Sequence, residues 1–170
     1  MVDLVVLQSL SYVAGAVGVL LAALNYVIST RNADKARQAT LFMGIYKDLT
    51  QIGPFTLSTE LMQTRWTDIA DFKSKYDSSV NVDNYVKRTC IWNWLDGIGV
   101  LAKERLIDER LIYQTMGDYV SYQWIKWRDI IRHYREIGAE APDYLDGFEF
   151  LAGNMEKIRK ERGISWKPEL

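Results

Sequence analysis

Residues 4–28 read LVVLQSLSYVAGAVGVLLAALNYVI, and this apolar stretch decides how the chain is organised. It contains no Asp, Glu, Lys or Arg. A helix needs about 20 apolar residues to cross the hydrocarbon core of a bilayer, so the stretch is long enough to span it. The sequence therefore predicts a transmembrane anchor over residues 1–30, followed by one folded domain of ordinary size.

Small and polar side chains recur along this stretch at alternating steps of three and four residues, which places them on one face of a helix. Within a bilayer, helices associate through close packing at small side chains and hydrogen bonds between polar ones. A mean step of about 3.5 residues favours a left-handed crossing with the partner helix. We therefore predict a helix-packing interface, called the packing face below, at Gln8, Ser11, Gly15, Gly18, Ala22, Asn25 and Ser29.

A second explanation of the same pattern stays open. Ala14, Gly18 and Ala22 repeat a small residue every four positions, which is typical of closely packed membrane helices. However, glycine is common in membrane helices in general. Gln8 and Asn25 could be present simply because polar side chains are tolerated near the lipid headgroups. Of the two explanations, the pattern favours the packing face.

The flanks of the apolar stretch favour an anchor over a cleaved signal peptide. A signal peptide has a basic start and an apolar core of about 7 to 15 residues, whereas here Asp3 precedes a much longer stretch. Arg31, Lys35 and Arg37 follow it, and basic residues concentrate on the cytoplasmic side of membrane helices. We predict a single-pass protein of the cell membrane with its N-terminus outside and its C-terminal domain in the cytoplasm.

No residue that ends a helix lies directly after the anchor. Because there is no proline between Ser29 and Gln51, the sequence predicts a juxtamembrane helix over residues 31–52 that continues the anchor. Gly53 and Pro54 are the first residues expected to stop it. The helical domain is then predicted over residues 53–170.

Beyond Pro54 the apolar residues keep helical spacing, and no segment shows the sustained alternation of a strand. Asp83 and Asp108 are expected to cap two of the helices. The expected core side of the helix after Asp83 carries Val86, Cys90, Trp94, Ile98 and Leu101. The sequence predicts an all-α antiparallel bundle with helices over residues 55–76, 83–106, 108–138 and 144–163.

The charge balance argues against a nucleic-acid partner. The chain has 21 Lys and Arg and 22 Asp and Glu, and only Asp3 lies before residue 31, so the domain is formally neutral. A neutral domain lacks the broad basic field that drives sequence-independent nucleic-acid binding. We therefore expect no nucleic acid among the partners.

The residues that usually carry catalysis are scarce. Cys90 is the only cysteine and His133 the only histidine, which excludes zinc sites built from several Cys and His ligands. Beside Trp92, Cys90 is expected to be a buried thiol that is kept reduced. A dinucleotide-binding loop needs a preceding strand and a third glycine, and the sequence around Gly97 and Gly99 has neither. The sequence predicts no catalytic residue, no metal site and no cofactor.

Basic residues form clusters that could contact anionic lipid headgroups, with about 1 kcal/mol for each residue near the surface. Asp129 and Glu136 are available to neutralise part of the charge of the cluster formed by Arg128, Arg132 and Arg135. A further basic run over residues 157–162 ends the last helix, where the helix dipole also favours cations. The candidate lipid or anion contacts are Arg31, Lys35, Arg37, Arg128, Arg132 and Arg135.

The order of these features resembles a known family. The N-terminal span is followed by a basic flank over residues 31–37, by the motif Trp92-Asn93-Trp94-Leu95, by the turn Arg105-Leu106-Ile107-Asp108 and by the segment from Trp127 to Arg135. The order is similar to that in uncharacterised prokaryotic single-pass membrane proteins with a helical cytoplasmic domain. The resemblance implies this topology and no assigned reaction or catalytic residue.

We expect a non-enzymatic, single-pass membrane scaffold or adaptor that assembles through its transmembrane helix. Its expected partners are the membrane and either further copies of the chain, in a homo-oligomer, or other membrane-protein subunits. Two alternatives stay open: an accessory subunit of a larger integral-membrane enzyme complex, and an enzyme on the cytoplasmic face. A pocket that held Cys90 or His133 beside acidic side chains would favour the enzyme.

Overall fold

The computed structural model describes residues 4–166, and its secondary structure over this range consists of helices without strands. This confirms the predicted all-α fold with one long apolar N-terminal helix. The chain divides into two compact units, Met1–Thr40 and Leu41–Leu170. The helices are α1 (Leu4–Leu49), α2 (Ile52–Gln63), α3 (Ile69–Tyr76), α4 (Val82–Lys103), α5 (Glu109–Glu136) and α6 (Asp146–Glu161).

The first unit contains the N-terminal part of α1. Every described position up to Thr40 is exposed except Gln38. Large apolar side chains share this exposure: Leu4 is 81% exposed, Val19 70% and Tyr26 74%. Among the described helices, α1 is long and apolar enough to cross a membrane. Within this unit the apolar surface is therefore uncovered.

The helix that begins at Leu4 continues without a break to Leu49, as the sequence predicts. The predicted stop at Gly53 and Pro54 is wrong, because both residues lie in the first turn of α2. The first backbone N–H groups of a helix have no partner within it, so a proline there removes no hydrogen bond. The chain is instead interrupted at residues 50–51.

The predicted helix over residues 55–76 is divided into α2 and α3. Asp68 caps α3, because its Oδ1 accepts a hydrogen bond of 2.8 Å from the backbone N–H of Asp71. The Asp71 carboxylate in turn accepts one of 3.0 Å from the backbone N–H of Thr67. These local hydrogen bonds satisfy backbone groups that a continuous helix would otherwise pair, so the helix restarts at this point.

The ends of the later helices follow their capping residues. Asp108 caps α5 as predicted, whereas α4 is capped by Asn81, and Asp83 lies in the first turn of that helix. Gly138 and Gly163 have φ values of +69° and +67°, so each provides the left-handed residue that commonly follows a helix. The last helix begins at Asp146, two residues later than Tyr144, where the sequence places its start.

The core of the second unit forms where α6 packs against both α4 and α5. Trp92 of α4 and Trp127 of α5 are 1% and 0% exposed, and their ring centroids lie 5.5 Å apart. Trp66, from the segment between α2 and α3, stacks on Trp127 with the centroids 5.1 Å apart. The tryptophans therefore join three parts of the chain into one core.

The predicted core side of α4 is wrong at its N-terminal half. Val86 is 57% exposed and Cys90 is exposed, so the expected buried thiol lies on the surface. The side of α4 that enters the core instead carries Ile91, Trp92 and Leu95. Both sides have helical spacing, and packing against α5, where Trp92 meets Trp127, determines which one is covered.

α4 and α6 approach each other closely at two glycines. A Cβ atom on Gly99 would overlap the backbone carbonyl of Gly147, and one on Gly147 would lie 2.5 Å from the carbonyl oxygen of Asp96. The Asp96 carboxylate also accepts a hydrogen bond of 3.0 Å from the backbone N–H of Phe148. Because only glycine leaves enough space, this contact fixes where the start of α6 lies on α4.

Candidate functional site

The predicted packing face lies on the exposed surface of α1. A Cβ atom added at Gly15 or Gly18 would meet no atom within 4 Å. Two polar members of the face already have partners in their own helix: the Ser11 hydroxyl donates to the Leu7 carbonyl at 2.9 Å, and the Gln8 amide donates to the Tyr12 hydroxyl at 3.1 Å. The face remains a prediction, with its small residues open to a second helix.

The basic residues after the apolar stretch are also exposed. Arg31, Lys35 and Arg37 all lie on the surface of α1. Arg37 is 3.8 Å from the Asp34 carboxylate, and both side chains are more than half exposed. Exposed pairs of this kind contribute only about 0 to 1 kcal/mol. These three cations therefore remain candidate lipid contacts.

In the predicted cluster of Arg128, Arg132 and Arg135, two arginines pair with a carboxylate that was not expected from the sequence. Glu149 of α6 accepts a hydrogen bond of 3.1 Å from Arg132 and one of 2.6 Å from Arg135. Arg135 also donates from its Nε to the Tyr144 carbonyl at 2.8 Å, and its side chain is only 15% exposed. Arg135 is therefore a structural link between α5 and α6, and the prediction that it contacts lipid or anions is not supported by its position.

The electrostatics of this link show how firmly it is held. Burial raises the pKa of the Glu149 carboxyl, but hydrogen bonds from Arg135 and Arg132 outweigh burial, so the pKa lies below its ordinary value of 4.5. Asp129, which the sequence offers as a neutralising residue, contacts Arg128 of this cluster, with 3.5 Å between Oδ1 and Nε. Glu149 is thus the main counter-charge of the cluster.

Arg128 and Arg132 line a cleft of about 520 Å³ between α5, α6 and residues 164–166. Arg159 and Lys160 line it from α6, so cations from two helices face the same space. We call this space the cationic cleft. Its remaining lining is one carboxylate, two serines and apolar or aromatic side chains, namely Glu156, Ser121, Ser165, Trp124, Ile125, Ala152, Ile164 and Trp166.

One part of the cationic cleft is held rigidly. Arg159 is 6% exposed and donates to the Asp118 carboxylate at 2.9 Å and to the Ser121 hydroxyl at 3.3 Å. Its guanidinium lies 4.2 Å from the ring centroid of Trp166. Trp166 also makes an edge contact with Tyr122, with the centroids 4.9 Å apart. Arg159 therefore does more than balance the end of a helix dipole.

A half-buried lysine closes the end of α2. Lys126 donates to the carbonyls of Met62 and Thr64 at 3.2 and 2.7 Å, which are acceptors that the end of a helix leaves unpaired. Its Nζ lies 4.5 Å from the centroid of Trp66. Burial, together with the nearby Arg65, lowers the pKa of Lys126 to about 8. Lys126 of α5 therefore caps the C-terminal end of α2 and lies beside the aromatic core.

Arg88 is 1% exposed and lies inside the bundle. It donates to the Tyr76 carbonyl at 2.5 Å and to the Asn84 side-chain oxygen at 3.0 Å, while its Nε has no hydrogen-bond partner in the described structure. Its guanidinium lies 5.1 Å from the centroid of Phe72. Burial lowers the pKa of this group. Arg88 ties the end of α3 to α4.

The structure does not bring Cys90 and His133 together. Cys90 is exposed on α4, and His133 lies on α5 with its ring centroid 6.2 Å from that of Tyr134. No hydrogen bond or ring contact joins Cys90 to His133 in the described part of the chain. Over residues 4–166, no group of three or more His, Cys, Asp or Glu is placed to hold a metal ion.

Comparison with known proteins places the chain in a family. Residues 12–155 match the sequence model of a domain of unknown function, DUF4760. The chain belongs to the DUF4760 family. No curated protein and no solved structure matches it. The resemblance to an uncharacterised family is therefore confirmed.

The DUF4760 match begins at Tyr12, within the apolar stretch, and ends at Met155 in α6. It contains the packing face from Gly15 onward and the α5 side of the cationic cleft. Arg159 and Lys160 follow the matched residues. The family's domain thus includes much of the apolar helix as well as the bundle.

Some of the side chains in and around the cationic cleft carry no sequence signal. Asp118 and Arg159 are 41 positions apart, and nothing in their spacing indicates an ion pair. Glu149 could have been found, because it lies in the first turn of the helix that follows Arg132 and Arg135. Trp166 follows the last helix without any repeat to which it belongs. The cationic cleft therefore emerges only from the packing of α6 on α5.

Proposed function

We propose that this DUF4760 protein is a single-pass membrane protein that assembles into a homo-oligomer through the packing face of α1. The helical bundle then acts as a non-enzymatic scaffold or adaptor on the cytoplasmic side. The observation that carries the proposal is the exposure of the apolar part of α1. Its most apolar window has a mean hydropathy of 2.0, and none of it is buried.

This exposure favours a membrane span over a core helix. The core helix of a soluble protein passes the same test of length and composition, but it buries its apolar side chains within the fold. A cleaved signal peptide is also disfavoured, because the family match includes the apolar stretch from Tyr12 onward and the helix continues to Leu49. In a bilayer, the exposed apolar side chains would face acyl chains.

The packing face offers what a second membrane helix requires. Gly15 and Gly18 have open space around them, so another backbone can approach closely. The Asn25 amide makes no hydrogen bond in the described structure, and a polar group among acyl chains is stabilised by a partner. A second copy of α1 provides both the close surface and the hydrogen-bond partner.

The mass of the assembled particle tests the proposal. The full chain is purified in a maltoside detergent, and its mass is measured by light scattering with the detergent subtracted. We expect wild type to form an oligomer and the Gly15→Leu/Gly18→Leu double variant to be monomeric, because two isobutyl groups prevent close approach. The matched control is Ala16→Leu, a small-to-leucine change on the opposite side of α1, which should leave the oligomer intact.

The outcomes separate the alternatives. A wild-type particle with the mass of one chain, or a double variant that assembles like wild type, would contradict assembly through the packing face. A stable particle that contains other membrane proteins in fixed proportion would instead indicate an accessory subunit. Loss of the oligomer in Ala16→Leu as well would show that bulk on any side of α1 disrupts assembly.

The exposed thiol of Cys90 tests the orientation. A maleimide that cannot cross membranes is added to intact cells or inverted vesicles that contain the chain. We expect labelling only in inverted vesicles, because the basic residues at 31–37 favour a cytoplasmic bundle. Cys90→Ser provides the blank. Labelling in intact cells would show that the orientation is reversed.

A further inference from the structure

The cationic cleft has the size of a small-molecule site. Its volume of about 520 Å³ lies within the range of roughly 300 to 1,000 Å³ typical of ligand pockets. Its walls come from α5, from α6 and from residues 164–166. These elements belong to one compact unit, so a ligand here would need no second chain.

The charges that face the cationic cleft are mostly positive. Arg128, Arg132, Arg159 and Lys160 line it, and Glu156 is the one carboxylate in the lining. The other carboxylates that pair with these cations are Asp118, Asp129 and Glu149, and none of them belongs to the lining. Asp129 is 75% exposed, so water screens its attraction for Arg128, whereas Asp118 is paired with the buried Arg159.

The cations differ in how firmly they are held. Arg159 is fixed by Asp118, Ser121 and Trp166. In contrast, Arg128 and Lys160 have side chains that are 45% and 74% exposed, and their partners are neighbours on their own helices. Exposed pairs of this kind are weak, so both side chains can turn towards an incoming anion.

We propose that the cationic cleft binds a phosphate ester that carries an aromatic or apolar group. Guanidinium groups pair with phosphate oxygens through two parallel hydrogen bonds, and a lysine adds a compact positive charge. Trp124, Ile125 and Ile164 give the organic part of the ligand an apolar surface. Trp124 is held for this contact by an edge contact with Phe148, with the centroids 5.1 Å apart.

The surroundings favour a small ligand over nucleic acid. The chain has a net charge of −1, so the attraction is confined to the cleft and does not extend over a broad basic surface. A phosphate ester can be a soluble metabolite or the headgroup of an anionic lipid. Both sources present the same chemistry to the arginines, and the experiment distinguishes them.

Calorimetric titration of the full chain with phenyl phosphate tests the inference. The protein is held in a maltoside detergent, which contains no phosphate. We expect saturable binding that is tighter than that of inorganic phosphate, because only the ester reaches the apolar lining. The Arg128→Gln/Lys160→Gln double variant should bind at least about tenfold more weakly. Lys157→Gln is the matched control, because Lys157 is exposed on α6 but does not line the cleft.

Competition then identifies the source of the phosphate. Phosphatidylglycerol is added to the detergent micelles, with phosphatidylcholine as the zwitterionic control. Displacement of phenyl phosphate by phosphatidylglycerol alone assigns the site to lipid headgroups, whereas binding without displacement assigns it to a soluble ester.

The inference is overturned if phenyl phosphate shows no saturable binding, or if Lys157→Gln weakens binding as much as the double variant does. Equal affinity for phenyl phosphate and inorganic phosphate would overturn the part that assigns an apolar group to the ligand. Binding requires only the bundle, so failure of α1 to assemble would leave these results unchanged.

Discussion

Two pairs of glycines, one in each compact unit, lie in opposite surroundings. In α1, Gly15 and Gly18 have no atom within 4 Å of where a side chain would begin. In the bundle, Gly99 and Gly147 are in direct contact through their backbones, with no space for a side chain. The same residue type therefore serves a completed contact in one unit and is left uncovered in the other. An added side chain should therefore disturb the fold at Gly99 or Gly147, whereas at Gly15 or Gly18 it would disturb only the proposed contact with a second helix.

The strongest test of this comparison is to add one methyl group to the completed contact. Gly99→Ala should destabilise the bundle by more than about 4 kcal/mol, because its Cβ meets backbone that can move only if α6 separates from α4. Denaturant unfolding of the full chain, followed by circular dichroism, measures the effect.

The matched control for that change lies two residues away. Gly97 has no atom within 4 Å of its added Cβ, so Gly97→Ala should stabilise α4 by about 0.5 to 1 kcal/mol through its higher helix propensity. If both substitutions have the same sign, the backbone contact between α4 and α6 is wrong.

A smaller effect is expected where a cation rather than a glycine is buried in the bundle. Arg88→Ala should cost about 3 to 4 kcal/mol, because it removes hydrogen bonds to the end of α3 and leaves a cavity beside Phe72. Arg88→Met keeps most of the volume and should cost clearly less. Unfolding free energies of the two variants test this order, and equal losses would show that the charge rather than the packing matters.

The link at Glu149 separates structural arginines from available ones. Glu149→Gln should cost about 2 kcal/mol at pH 7, because Arg135 loses its charged partner in a half-buried position. The pKa of Glu149 is lowered in the folded state, so its contribution is complete above the ordinary value of 4.5 and is lost as the pH falls through the folded pKa. Unfolding measured from pH 7 to pH 3 should show wild type approaching the variant.

The smallest effect is expected at Lys126. Lys126→Met should change stability by less than about 1 kcal/mol at pH 7, because Arg65 also donates to the carbonyls of Met62 and Thr64. The folded pKa of about 8 lies below the ordinary 10.5, so the unfolded chain binds more protons between these values. Wild type should therefore gain stability relative to the variant from pH 8 to pH 10.5. Parallel pH profiles would contradict the lowered pKa.

The sequence predicted those features that depend on neighbours along the chain. Asp108 and Gly138 correctly mark the ends of α5, because a capping carboxylate and a left-handed glycine act locally. The covered side of α4 could not be predicted, because Cys90 and Trp92 both have helical spacing and only the packing of Trp92 on Trp127 of α5 selects between them. The break before Asp68 was not predicted, because the residues around it suit a continuous helix. There the Asp68 side chain replaces a helical backbone acceptor for the N–H of Asp71.

The cationic cleft was predicted only in part. Arg128 and Arg132 were predicted as candidate anion contacts, whereas Arg159 was assigned to a basic run at a helix end. The assignment changed because Arg159 pairs with Asp118, which is 41 positions away in the sequence. Pairs this far apart depend on how α5 meets α6, and no local pattern records that.

The contact between α4 and α6 joins segments that lie far apart along the chain. The hydrogen bond between Asp96 and Phe148 joins residues 52 positions apart, with the whole of α5 between them. Contacts across such a loop form late, because closing the loop loses chain entropy before the contact compensates for it. During synthesis, the side of α4 around Gly99 stays uncovered until α6 has been made. We expect a chain that ends before Asp146 to expose this apolar side and to be prone to aggregate.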